Sequence, residues 1–300
     1  MITPPYLKAG DKVGILSTAR KVDAADLKNA LELLKNWGLE AVLGSSIGAE
    51  QDQYAGSDSL RRDDLQLMLN DTSIKAIWCA KGGYGTVRII DDLDFYKFVK
   101  YPKWIVGYSD VTVLHSHLNK MGFETLHAAM CKGIEDNSAF AKKSLQDALF
   151  GKTIHYNVDK HYLSRIGVGA GEMAGGNISI LYSLCGSPSA ITTDGKILFI
   201  EDLDEYLYHV DRMMMNLKRN GLLKNLTGLV VGGLTKMHDN SVPFGKNAKE
   251  IVLDAVAEYD YPVCFDFPAG HLDDNRALIL GRKATLEVTE SGVKLNFAES

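Results

Sequence analysis

Residues 104–117, WIVGYSDVTVLHSH, offer a serine at a position that could seat the nucleophile of acyl-transfer chemistry. Trp104, Ile105 and Val106 form a short apolar run suited to a buried strand, Gly107 frees the backbone, and apolar residues from Val111 onward recur at helical spacing. Ser109 is thereby placed at a strand-to-helix corner. There its hydroxyl is pushed out of the sheet, and the unpaired N–H groups that open the helix can face a developing oxyanion. The same corner admits a plainer role, in which Ser109 or Asp110 caps the helix by satisfying those N–H groups. In the G-x-S-x-G elbow a glycine stands two residues after the nucleophile. Here that position is Val111, which disfavours an ordinary α/β-hydrolase.

A serine nucleophile needs a base to take its proton and an acid to hold that base in the right tautomer. His115 and His117 lie two apart on one helix and face different sides, so they form no joint site. His155 and His161 lie in a polar stretch, His209 follows an acidic cluster, and His238 is in a polar loop. His127 and His271 stand beside strand ends, and only His271 follows a proline turn and Gly270 that would hold it exposed; it is the candidate base. Glu201 closes the apolar run KILFI, so its carboxylate starts from a buried backbone position and needs a partner, which an imidazole would supply. The alternative role, an acid favoured by a helix dipole, fits Asp204 and Glu205 better. The HxH pair and the scattered aspartates make no metal set, so a metal-independent site is expected.

These side chains must be positioned by regular elements. Residues 13–17 read as a strand, and Leu27, Leu31, Leu34 and Trp37 then mark one helical face closed by Gly38. Residues 39–43 read as a second strand, Ser57 caps a helix bearing Leu60, Leu65 and Leu69, and residues 74–80 form a third strand. This alternation predicts a doubly wound, mostly parallel sheet, with ligands gathered at the carboxyl ends of strands. The glycine loop KGGYG, residues 81–85, falls at such an end. It could cradle a carboxylate or lend an N–H to an oxyanion, or be only a tight turn, being neither G-x-G-x-x-G nor a Walker sequence.

The expected organisation is a nucleophile domain over residues 1–145, a polar crossing over 146–165, and a smaller C-terminal α/β domain over 166–300 that carries acid and base. Residues 177–184 read as a short helix, 196–200 as a strand, and Val210, Met213, Met214 and Leu217 as a core-facing helix stripe. The tail from Ala277 alternates apolar and polar residues, which predicts antiparallel strands. A formal net charge of −5 with both signs interspersed disfavours nucleic acid or an anionic membrane surface as partner. No run approaches the ~20 apolar residues of a membrane span, and no signal segment is evident, so a soluble cytoplasmic protein is expected. Cys79, Cys131, Cys185 and Cys264 lack pairing patterns and read as free thiols.

Taken together, KGGYG, GYSD at 107–110, GGN at 175–177, the block IEDLDEYLYHVDRM from Ile200, and FPAGH at 267–271 with the downstream LILG resemble the LD-carboxypeptidase family of serine peptidases. That family includes muramoyltetrapeptide carboxypeptidases and the related microcin-immunity peptidases. The likeness covers nearly the whole chain, and five motifs in one order make it specific. It implies Ser109 as nucleophile, Glu201 as acid and His271 as base, with an oxyanion hole formed by the backbone N–H groups of Asp110 and Gly83. It further implies a cleft between domains, no cofactor, a cytoplasmic homodimer, and a murein tetrapeptide or muropeptide substrate cut between an L-centre and a terminal D-alanine. A free terminal carboxylate calls for positive charge, and Lys81 and Arg88 near the glycine loop are the candidates for it. Three other functions stay open, one of them a glutamine amidotransferase-like enzyme, although that chemistry normally employs cysteine at the elbow and none stands there. A microcin-immunity peptidase would cleave a peptidyl nucleotide and need an aromatic-bearing insertion to stack the base, and none is obvious. A noncatalytic binding protein for small peptides would release no product.

Overall fold

The computed structural model describes residues 1–299. The first sheet is built from β1 (Lys12–Leu16), β2 (Glu40–Leu43), β3 (Ile74–Cys79), β4 (Trp104–Gly107) and β5 (Thr125–His127). These five pair in parallel in the order β5-β4-β3-β1-β2. The chain between them forms α1 (Lys28–Asn36), α2 (Asp58–Asn70), α3 (Tyr96–Lys100) and α4 (Thr112–Lys120). Alternate strand residues feed two cores. Val13, Ile15, Ala76 and Trp78 pack on the side of α1, while Leu16, Ile77, Cys79 and Ile105 pack with Leu65 and Leu69 of α2 and Leu114 and Leu118 of α4. Strands buried on both faces are what βαβ crossovers require, and they explain the unbroken apolar runs of β3 and β4. The strand order reverses between β1 and β3, and the crevice beyond the carboxyl ends at such a switch is where open α/β sheets bind ligands.

After α5 (Ala139–Leu149) the chain builds a second sheet. Its strands are β6 (His155–Val158), β7 (Gly167–Asn177), β8 (Ile197–Leu203), β9 (Gly228–Thr235), β10 (Val263–Cys264), β12 (Lys283–Thr289) and β13 (Gly292–Phe297). Their order is β10-β9-β8-β7-β12-β13-β6, parallel from β10 to β7 and antiparallel from β7 to β6. Helices α6 (Ile178–Ser183), α7 (Leu207–Arg219) and α8 (Ala248–Ala255) cover its parallel half. The remaining strand, β11 (Leu278–Leu280), leaves this second unit and pairs antiparallel with β5 on the edge of the first sheet. The α/β class, the mostly parallel first sheet and the antiparallel C-terminal strands are as the sequence predicts.

Helix starts follow local chemistry. Ser57 caps α2 by accepting from Leu60 N at 3.1 Å, and Asn247 with Glu250 forms a reciprocal capping box on α8. Met213 and Met214 are fully buried core residues of α7, and none of the four cysteines is paired. Within residues 146–165, read as a crossing, the end of α5 and the edge strand β6 are ordered elements of the fold. The glycine-rich residues 167–177, which carry no strand signal in composition, form the 11-residue β7. No described helix is long and apolar enough to cross a membrane.

Candidate active site

Ser109 stands between β4 and α4 with φ +61°. A left-handed serine costs roughly 1–2 kcal/mol, and such strain persists where surrounding structure imposes it, commonly at functional sites. The cause is local: β4 is locked in the sheet while α4 turns away from it, so one residue must absorb the reversal. Ser109 is only partly buried and makes no side-chain hydrogen bond among the described residues, although both caps Ser57 and Ser138 in this chain do. It therefore does not cap its helix. Gly82 of the glycine loop lies against it, so close that a Cβ there would stand 3.2 Å from Ser109 Oγ.

Asp110 is fully buried and joins the two strand ends. Its Oδ2 accepts from the backbone N–H of Thr86 at 2.8 Å and from Thr86 Oγ1 at 2.6 Å, while Oδ1 has no partner. Burial pushes this carboxyl up from its ordinary range, and the Thr86 hydrogen bonds oppose that shift. Thr86 Oγ1 also meets Thr18 Oγ1 at 2.7 Å, and the buried Arg61 guanidinium donates to Thr18 O at 2.6 Å and Gly85 O at 3.0 Å. This network ties the loops after β1, β3 and β4 into one platform. It fixes Asp110 and the end of the glycine loop at Gly85 and Thr86, while the N–H groups of Gly83 and Asp110 donate to no acceptor among the described residues.

The candidate acid and base come from the second unit. Glu201, in β8, is fully buried; its Oε2 accepts from His271 Nδ1 at 2.6 Å and from His271 N at 3.2 Å. Gly270 permits this approach: at φ +99°, a Cβ on it would stand 2.7 Å from Cβ, Cγ and Oε2 of Glu201. With Nδ1 engaged, Nε2 is the nitrogen of His271 left to exchange a proton. Asn177 Nδ2 donates to Glu201 Oε1 at 3.3 Å and to Asp202 Oδ1 at 2.9 Å, and Asn177 Oδ1 caps α6 by accepting from Ile180 N at 3.2 Å. Asp202 also accepts from Ser179, and burial followed by the charge of Glu201 pushes it up to about 6.

The two units meet at this point. The ring of Tyr108 lies edge-on to that of His271 at 4.8 Å between centroids, and burial together with the Glu201 carboxylate pushes the Tyr108 phenol up to about 12. Ser109 Oγ and His271 Nε2 share no hydrogen bond in this arrangement, a common condition of such pairs before substrate aligns them. The structure thus places Glu201 and His271 in direct contact, Ser109 one residue from the Tyr108–His271 contact, and Gly82 of the glycine loop against Ser109.

The two cations expected near the glycine loop fare differently. Arg88 is engaged by Asp58, with Nε donating at 2.9 Å and Nη2 at 2.6 Å to Oδ2. Lys81 donates only to Lys21 O, at 3.3 Å. Burial, then the neighbouring Lys132 and Arg20, lowers its ammonium pKa. Asn177, Thr86 and Arg61 hold the site together without having been assigned roles from sequence; of these only Asn177 carried a visible signal, as the last residue of GGN. Among the described residues no group of three or more His, Cys, Asp or Glu side chains could hold a metal.

Family comparisons agree with this architecture. Residues 13–128 match the LD-carboxypeptidase N-terminal domain and residues 170–286 match the LD-carboxypeptidase C-terminal domain. A probable murein peptide carboxypeptidase of Bacillus subtilis is 36% identical over 299 residues, covering 96% of this chain and 92% of that protein. Among solved structures, muramoyltetrapeptide carboxypeptidase from Oxalobacter formigenes superposes with a TM-score of 0.86 at 26% identity, covering 96% of this chain and 98% of the other. The microcin C7 self-immunity protein MccF shares the fold, with a TM-score of 0.84 at 20% identity over 98% of both chains. A mixed α/β chain with two sheets, both family domains and a relative of this identity across nearly its full length belongs to the LD-carboxypeptidase family.

Proposed function

We propose that the chain is a serine-type LD-carboxypeptidase that removes terminal D-alanine from murein tetrapeptides during peptidoglycan recycling. The observation that carries this reading is the Glu201–His271 pair, held at 2.6 Å beside a strained, uncapped serine that abuts a glycine loop. The names of the Bacillus and Oxalobacter proteins support the substrate class.

In this mechanism Ser109 Oγ attacks the carbonyl of the diamino acid while His271 Nε2 takes the hydroxyl proton. The oxyanion is received by the N–H groups of Asp110 and Gly83. Glu201 stabilises the imidazolium and fixes its orientation without itself being protonated. Collapse breaks the amide bond, His271 returns the proton to the departing amine of D-alanine, and water then attacks the acyl-serine by the same route. The fully buried Glu201 leaves the pair only weakly sensitive to ionic strength, because screening acts weakly on charges removed from solvent.

A stereodefined L-Ala-D-Glu-diamino acid-D-Ala tetrapeptide, compared with its all-L counterpart by mass spectrometry, tests the reading. The parent should release one alanine from the first only, and Ser109→Ala should lower kcat by more than about 10³-fold while preserving the fold. Parent-level release by Ser109→Ala would refute the assignment. A homodimer acting on muropeptides in the cytoplasm belongs to the same proposal, and light scattering of the purified protein checks its oligomeric part.

A further inference from the structure

The fully extended substrate of a carboxypeptidase ends in a carboxylate one residue beyond the scissile carbonyl, a reach of roughly 3.5 Å along the chain. If Gly83 and Asp110 hold the oxyanion, the group that receives this carboxylate must stand beside the glycine loop. Arg88 is taken up by Asp58, Lys21 is paired with Glu50, and Lys132 with Asp26. Two cations there stay uncompensated, Lys81 and Arg20.

Arg20 lies on the loop after β1, on the other side of the β1–β3 switch from the glycine loop. Its backbone is fixed from two directions: its N–H donates to Gly82 O at 3.4 Å, and its carbonyl accepts from Ser17 Oγ at 2.6 Å. Its side chain runs across Gly83, where a Cβ would lie 2.5 Å from Cδ, 2.6 Å from Cγ and 2.7 Å from Nε of Arg20. Any residue but glycine would displace it. The guanidinium itself is exposed and has no ion pair or hydrogen bond among the described residues. A charged fork is therefore delivered to the oxyanion platform with its stem packed and its donors free, which is the arrangement that recognises a carboxylate through two parallel hydrogen bonds. Lys81, a point charge already donating to Lys21 O, lacks that geometry.

We propose that Arg20 receives the terminal carboxylate of the substrate and so measures one residue from the scissile bond. This rests on the carboxypeptidase reading above and names the specificity residue of that site. The carboxylate is present in both ground and transition states, so its loss should appear in KM more than in kcat.

The test compares the tetrapeptide with its C-terminal amide on the parent, Arg20→Met and Arg20→Lys, alongside the labelling rate with a small fluorophosphonate. Arg20→Met should lower kcat/KM for the free acid by about 10- to 100-fold, chiefly through KM, while leaving the amide and the labelling rate unchanged. Arg20→Lys should recover part of the loss. Equal losses on acid and amide, or slowed labelling, would show that Arg20 only shapes the loop and would overturn the proposal; an unchanged acid would overturn it as well. A parent that labels yet releases no alanine from any tetrapeptide would instead overturn the functional reading, and this proposal with it.

Discussion

Asn177→Asp is nearly isosteric, keeps the oxygen that caps α6, and replaces the one donor facing both Glu201 and Asp202 by a third carboxylate. Unit charges about 4 Å apart at an effective dielectric of about 20 repel by about 4 kcal/mol. At 1.36 kcal/mol per pKa unit that is an upper bound of about 3 units, before the lost hydrogen bond is counted. Asp202 is already pushed up to about 6 by burial and the charge of Glu201, so a third carboxylate favours uptake of a proton by the cluster near neutrality. A proton enters and is shared with Glu201, and His271 Nδ1 loses its full anionic partner for part of the time. On the proposed mechanism, a proton held by this cluster weakens the anionic partner of His271, so activity should fall on the acid side. The acid limb of kcat/KM should move up by 1–2 units, with a loss of about 100-fold at pH 7 that recovers to within about 10-fold near pH 9. Asn177→Ser supplies the control: it keeps a good helix cap without charge, and should lose about 10-fold with the acid limb unmoved. D-alanine release against pH, with circular dichroism to confirm folding, reads both. An Asn177→Asp enzyme with the parent's rate and acid limb, or one whose loss is the same at every pH and matched by the serine variant, would refute the electrostatic reasoning.

Other expectations follow from buried geometry. Gly270→Ala must place a methyl group 2.7 Å from three atoms of Glu201 at φ +99°. The strain of about 1–2 kcal/mol and overpacking of about 1–3 kcal/mol should lower the melting temperature and reduce kcat together, and an unchanged melting curve and rate would contradict the geometry. Burial lowers His115 to about 4 and His127 well below its usual value, so both are neutral in the fold. Their contribution is complete above an unfolded pKa of about 6.5 and is lost as pH falls toward 4; for His115 alone the loss at pH 5 is about 2 kcal/mol. Urea midpoints at pH 7.5 and 5 measure it. Both nitrogens of His127 lack partners, and its ring lies 4.8 Å from that of Phe199, so His127→Phe should flatten the pH dependence. A variant as acid-labile as the parent would rule this out.

The first sheet was legible because strands buried on both faces leave unbroken apolar runs such as IKAIWC, and the GYSD corner was legible because a glycine and a serine interrupt one of them. β7 was not. Its glycines serve close backbone approach rather than flexibility: a Cβ at Gly169 would stand 1.7 Å from Thr227 O, and one at Gly175 would stand 1.9 Å from Phe199 O. Composition registers only missing side chains there, whereas the neighbouring strand that excludes them is distant in sequence. β6 was obscured likewise, since a polar edge strand looks like a crossing. Glu201 and His271 could be singled out one by one from their strand ends, and the structure adds their contact. Arg20 left no sequence signal, because a lone arginine after a strand means little until Gly83 is seen beneath it.

The placement of β11 has a consequence for biogenesis. The edge of the sheet that carries Ser109 is closed by residues 278–280, which follow His271 in sequence. While the polypeptide is still emerging from the ribosome, β5 presents an open edge and the imidazole is absent. On the proposed assignment the base at His271 and the strand that seals the sheet, residues 278–280, therefore emerge together, after every other strand of the first sheet. A chain stopped before residue 278 would expose the unpaired groups of β5 as a template for aggregation.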